Sequence, residues 1–220
     1  MKLIITPYLE QLRTWPSLGR HILAQFDDDT IVVYQAYRPS IAEYALKRRQ
    51  FGGDFSFERM SWIKTNFLWM MYRSAWGTEP GQEVTLAIWL SRQGFSQILQ
   101  ESVSTSFTTL AHADERAWRA ALAASDVRLQ WDPDHDPAGT PLPRRAIQLG
   151  IRGVSLKRFS SEWIRDIEDI SEFVREQAVV AASRNHEALI VPMETVFPIS
   201  DRRLAKTLGM GAEADAEGEI

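Results

Sequence analysis

Residues 58–76, ERMSWIKTNFLWMMYRSAW, bring Trp62, Trp69, Tyr72 and Trp76 together with Arg59, Lys64 and Arg73. Aromatic faces beside fixed cations can stack a planar ring and hold an anion. The same residues can build an ordinary core, with the cations snorkelling to its edge. Arg38 extends the pattern, because Arg38, Lys64 and Arg73 each sit beside an aromatic: Tyr37, Trp62 and Tyr72 respectively. The chemistry this composition fits is a cleft for a nucleotide or dinucleotide, NAD among them, with the base on Trp or Tyr and the phosphates on the cations. Tyr34, Gln35 and Arg38 would line one wall of it, and Trp62, Lys64, Trp69 and Arg73 another, with Tyr72 alongside. Gln35 and Gln148 fall in segments that read as largely buried strands, so each needs a hydrogen-bonding partner, from a ligand or from the backbone. Glu194, in VPMETVFP, is the carboxylate at the end of an apolar run. If buried, it would be desolvated enough to act as an acid or an electrostatic stabiliser; the plainer reading is an exposed loop glutamate.

Other chemistries are excluded or weakly marked. The chain has no cysteine, which removes disulfides, thiol nucleophiles and cysteine-ligated metals. Asp132, Asp134 and Asp136 alternate like the opening of a calcium loop. Pro137 stands where the sharp turn needs glycine, however, and Pro143 where a bidentate glutamate belongs, so turn chemistry explains the run and no metal site is expected. His21, His112, His135 and His186 are scattered without zinc-site spacing. No GxSxG, GxGxxG or Walker loop is present, so a bound phosphate would depend on side chains or on a helix N-terminus.

The elements that must position these residues follow from pattern. After Asp27–Asp28–Asp29, the β-branched run Thr30 to Tyr34, continued by Gln35 and Tyr37, predicts a buried strand that feeds a helix from Pro39 to about Gln50, broken by Gly52 and Gly53. Phe67 to Met71 lacks β-branched residues, and a short helix is expected from near Thr65 to Gly77, with Trp62, Trp69, Arg73 and Trp76 on one stripe. Further strands are expected over 84–90, 127–131, 145–151 and 187–191, and helices over 94–103, 114–124 and 171–182. A helix capped by Ser160 or Ser161 is expected through Trp163, and the proline-rich 132–143 as a loop. Mixed elements without a regular βαβ repeat point to an α+β domain, compact and single over 1–210, with a largely antiparallel sheet and flanking helices.

At 220 residues, with 45% hydrophobic and 25% charged residues, the chain can bury one sizeable core. No apolar run approaches the ~18–20 residues of a membrane helix, and a cytoplasmic protein without membrane contact is the expectation. The formal charge of −4 is matched by Glu213, Asp215, Glu217 and Glu219 in a C-terminal stretch, 211–220, that has no basic residue and reads as a flexible tail. The remaining body is near neutral, which disfavours bulk electrostatic attraction to nucleic acid but leaves room for a local basic groove.

The segments TIVVYQAYRPSIAEYAL, RMSWIKTNFLWMMYRSAWGTEPGQE, QWDPDHDP, LPRRAIQLGI and EWIRDIEDIS together resemble the bacterial and fungal family of domain of unknown function 4291, over about Arg20 to Leu208. The chain departs from that family's pattern at Thr65, where proline is common. The family carries no settled activity. In arrangement alone the chain is similar to ADP-ribosyltransferase-like domains, which set an aromatic and a polar residue at the end of an early strand and a catalytic glutamate on a late one. That resemblance implies an NAD-dependent group transfer with Tyr34 and Gln35 at the first place and Glu194 at the last; Gln35 stands where arginine or histidine is usual. Two other functions use the same residues differently: a single-stranded nucleic-acid binder with the aromatics as stacking platforms, and a non-catalytic interaction module with the Trp-rich stripe as its partner surface.

Overall fold

The computed structural model describes residues 2–109 and 111–210; the acidic stretch 211–220 lies outside them. In chain order the elements are β1 (Ile5–Pro7), α1 (Tyr8–Thr14), β2 (Leu23–Ala24), β3 (Thr30–Tyr37), α2 (Pro39–Arg48), β4 (Ser61–Lys64), α3 (Phe67–Ser74), β5 (Val84–Ser91), α4 (Arg92–Glu101) and β6 (Ser102–Ser104). They continue with α5 (Glu115–Ala124), β7 (Val127–His135), β8 (Pro141–Ile151), α6 (Gly153–Arg158), a π-helical turn over Phe159–Trp163, β9 (Ile164–Asp169), α7 (Ser171–Ala182), β10 (Ile190–Pro192), β11 (Thr195–Val196) and α8 (Arg202–Thr207).

The fold is α+β. A seven-stranded sheet runs in the order β6-β7-β8-β4-β3-β5-β9. Every neighbouring pair is antiparallel except β6 with β7. Alternation along the central strands divides two cores. Ile31 and Val33 of β3 and Leu86, Ile88 and Leu90 of β5 face one side, with α2, α4 and α6 packed there through Ala42, Ala45, Phe95, Ile98 and Leu156. Val32, Tyr34, Ala87 and Trp89 face the other, covered by α1, α3 and α7 through Tyr8, Phe67, Met70, Met71 and Val174. The β-branched and aromatic run of β3 suits a strand buried on both faces.

Two small antiparallel pairs tie the chain's ends together: β1 with β10, and β2 with β11. Among the described residues no helix is long and apolar enough to cross a membrane.

Three expectations are corrected. The helix expected through Trp163 is instead the π-helical turn, and it leads straight into β9, an edge strand the sequence did not announce. The proline-rich 132–143 is mostly hairpin rather than loop, because β7 runs on to His135 and pairs Pro133 with Arg145 and His135 with Pro141 across a bulge. Trp62 belongs to β4, so it does not share a helical stripe with Trp69 and Arg73.

Candidate functional site

The site begins where the sheet parts. β3 pairs with β5 along its whole length, yet it meets β4 at a single register position, Tyr34 opposite Lys64. Beyond that point β3 and β4 diverge, and strand edges that leave one another expose polar backbone groups. Gln35 fills part of the gap: its Nε2 donates to Trp62 O at 3.1 Å and to Ser61 Oγ at 2.8 Å, and the Tyr37 hydroxyl shares that same Oγ at 2.8 Å. The partner demanded of Gln35 is therefore the opposite strand. Gln35 Oε1 is buried without a partner among the described residues.

A cleft of about 740 Å³ opens over this divergence. Its lining joins the end of β3 (Gln35 to Tyr37), Arg38 and Ile41 at the start of α2, Asp54 to Ser56 with Arg59 and Met60 of the next loop, β4 (Ser61, Trp62 and Lys64), Met70 and Arg73 of α3, the turn Pro80 to Gln82, and Gln148 of β8. Four of these side chains are cationic, Arg38, Arg59, Lys64 and Arg73, against one acid, Asp54. Asp54 contacts Arg38 at 3.4 Å, and both are well exposed. Arg59 and Arg73 are exposed, and no described residue forms an ion pair with either.

Trp62 is half-buried, and register sets it opposite Gly150. A Cβ built on Gly150 would stand 2.9 Å from the Trp62 indole and 2.6 Å from Met60 Sδ. The absent side chain lets the indole approach the neighbouring strand closely, and Trp62 also lines the cleft. Lys64 follows two residues later on the same face. Its register partner on β8 is Gln148, whose own partner on β7 is Gln130. Gln148 Nε2 donates to Gln130 Oε1 at 2.9 Å and to Asp132 Oδ2 at 2.7 Å, so a polar row crosses the sheet beside the lysine.

Lys64 is 5% exposed, and no described residue accepts a hydrogen bond from its ammonium or makes an ion pair with it. Burial is the main force pushing its pKa down to about 8; Arg73 pushes the same way and Asp132 opposes. Asp132 itself is raised above the ordinary carboxylate value by burial, a shift held back by the Gln148 amide and by Lys64.

α3 forms one wall through its local chemistry. Asn66 caps it, accepting from Trp69 N at 2.8 Å. Glu194 adds a second acceptor there: its carboxylate takes Phe67 N at 2.7 Å and Asn66 Nδ2 at 3.2 Å. The helix ends on Ala75, Trp76 and Gly77, all with left-handed φ. Glu194 is 1% exposed and does not line the cleft. Burial lifts its pKa well above the ordinary value, with Asp134 adding to the rise, while the Phe67 amide pulls it down.

Of the residues singled out from sequence, Gln35, Arg38, Trp62, Lys64, Arg73 and Gln148 come together in the cleft. Tyr34, Trp69, Tyr72 and Glu194 are not in its lining. Tyr34 is fully buried against Phe67, its hydroxyl without a partner among the described residues and its pKa raised by burial. Trp69 and Tyr72 instead stack with His135, the Tyr72–His135 centroids being 3.6 Å apart in nearly parallel planes. Beside that stack Asp134 and Arg144 form a buried ion pair, with Arg144 Nε donating to Asp134 Oδ2 at 2.8 Å. Asp54 and Asp132 lie outside the aromatic–cation pattern, and their place at the cleft and beside Lys64 is visible only in three dimensions. Arg59 was visible in the aromatic–cation stretch. Among the described residues no three His, Asp or Glu side chains converge as a metal site.

A comparison with curated proteins found no match to this chain. A family's sequence profile does match, over residues 21–197, a span that holds the whole lining of the cleft and Glu194 as well. The chain belongs to that family, described as a domain of unknown function (DUF4291).

Proposed function

We propose that the cleft binds a nucleotide, a free nucleoside phosphate or a dinucleotide of the NAD type, and that the protein transfers a group from it. The observation that carries this reading is Lys64: a lysine only 5% exposed that lines the cleft beside Trp62, with no hydrogen bond or ion pair among the described residues, where burial and Arg73 press on its charge and only Asp132 opposes them. A protein that merely covers its core with aliphatic stems lets such cations reach water. A buried cation with no partner is costly, and a bound anion relieves the cost. Trp62 gives the base a stacking face, and Arg38, Arg59 and Arg73 supply guanidinium forks for phosphates. In this reading Glu194 positions α3, and with it Met70 and Arg73, because its carboxylate is taken up by Phe67 N and Asn66. The role of a transfer carboxylate fits it less well.

The test is thermal unfolding against NAD, the nucleoside triphosphates and short oligonucleotides. A nucleotide at about a hundred times its dissociation constant adds ~2.7 kcal/mol, a rise of roughly 5–11 °C for a chain of this size. Absence of any rise across all nucleotides refutes the reading. A second reading draws on the exposed arginines at the rim, which would also suit a single strand entering the cleft. A response to oligonucleotides alone, falling steeply with salt, would select it.

A further inference from the structure

Lys64 differs from its cationic neighbours in one chemical respect. Arg38, Arg59 and Arg73 keep their charge at any physiological pH, so they bind anions and do nothing else. A lysine nitrogen can lose its proton, and its lone pair is then a nucleophile. For holding phosphate alone, a buried lysine is the poorest of the four cations, since burial works against the charge that holding requires. Three exposed arginines already supply that charge.

Lys64 stands on a strand, flanked in register by Tyr34 and Gln148, so the amine is carried by rigid backbone rather than by a loop. Burial pushes its pKa down to about 8, so that near neutral pH far more of it is unprotonated than of an ordinary lysine.

We propose that Lys64 is a covalent nucleophile that takes a nucleotidyl group onto its Nζ from a phosphoanhydride, an inference that rests on the nucleotide reading of the cleft. The neutral amine attacks the α-phosphorus. An N–P bond forms and the P–O bond to the adjoining phosphate breaks. The leaving group departs with that electron pair as pyrophosphate, or as nicotinamide mononucleotide when the donor is NAD. The proton left on nitrogen passes to solvent at the cleft. Arg59 and Arg73, free of ion pairs with described residues, offset the charge that builds on the leaving phosphate. The product is a phosphoramidate, from which the nucleotidyl group can pass to an acceptor.

The experiment incubates the full chain and magnesium ion with each nucleoside triphosphate labelled at the α-phosphate, with ATP labelled at the γ-phosphate, and with NAD labelled at its adenylyl phosphate. Protein-bound label is read after denaturation, and unfolding midpoints are recorded in parallel. The expected result is label from one α-labelled donor and none from the γ-labelled one, stable to base and lost in acid, and mapped by mass spectrometry to the peptide holding Lys64. Lys64→Arg should lose the label while still unfolding in one cooperative transition, which separates loss of the nucleophile from loss of the fold. The donor that labels tells a triphosphate from NAD. A nucleotide that raises the midpoint but leaves no label overturns the covalent step and leaves the binding reading standing. No rise and no label overturns both. Label mapped to any other residue, or retained in Lys64→Arg, overturns the assignment to Lys64.

Discussion

Replacing Lys64 with Met tests whether the cleft holds a strained cation. Methionine is close to lysine in length and volume and carries no charge, so the substitution removes the desolvation penalty and little else. The penalty follows from the pKa, pushed from 10.5 down to about 8. Below pH 8 the amine is charged in both folded and unfolded chains and the full cost is present. Between about 8 and 10.5 the folded chain gives up its proton while the unfolded chain keeps it, so the wild type gains stability as pH rises through that window. The cost is about 3 kcal/mol at pH 7 and about 1 kcal/mol at pH 9.5. Allowing for imperfect packing of the thioether, Lys64→Met should be more stable than wild type by about 1–3 kcal/mol at pH 7, a rise of roughly 2–12 °C. Its advantage should shrink by about 2 kcal/mol at pH 9.5. Urea unfolding of both proteins at the two pH values measures this directly, and the difference cancels every group they share. A variant no more stable than wild type at pH 7, or an advantage that does not change with pH, would show that Lys64 is already hydrated or paired and has no need of an anion in the cleft.

Trp62→Ala should keep the fold, since the indole is only half-buried, yet weaken nucleotide binding by about 1–3 kcal/mol in calorimetric titration; unchanged affinity would remove the stacking platform. Asp134→Ala strips a 3%-exposed Arg144 of its carboxylate and should cost about 3–5 kcal/mol in unfolding free energy. A loss below about 1 kcal/mol would mean that water reaches the pair. Asn66→Ala removes the α3 cap and one partner of Glu194, with an expected cost of about 1–3 kcal/mol and a drop in nucleotide affinity as Arg73 loses its footing. Loss of stability without loss of affinity would separate α3 from the cleft.

The central strands were legible because their chemistry is local. The run from Thr30 to Tyr37 is β-branched and aromatic, and it folds as β3. Pro39 opens α2 as its fixed φ favours, and Asn66 caps α3 one residue after the expected start. β9 was hidden for a physical reason. Its inward residues, Ile164 and Ile167, stand three apart because the pairing with β5 shifts register at Trp89 and Leu90, so the strand shows a helix-like spacing. The hairpin through Pro133 was masked by its prolines, and the buried Asp134–Arg144 pair that stabilises it could not be read from one sequence. In the cleft, the association of aromatics with cations picks out Trp62, Lys64 and Arg73, which line it together. It also gathered Trp69 and Tyr72, whose ring partner is His135, a contact across 63 or more residues that no local pattern encodes. Gln35 illustrates the remaining gap: its need for a partner was predictable, but the partner exists only because β3 and β4 part.

The cap of α3 has a bearing on how the protein is made. Asn66 and Phe67 emerge from the ribosome early, but the carboxylate that receives their N–H groups belongs to a residue 127 positions beyond Phe67. Until Glu194 arrives, the first turn of α3 has only its own asparagine. By then all the strands of the large sheet have been synthesised. A nascent chain halted before that point would carry Trp62 and Lys64 on a sheet whose covering helix is still unanchored at its start. The wall that α3 gives the cleft is thus anchored only in nearly finished molecules.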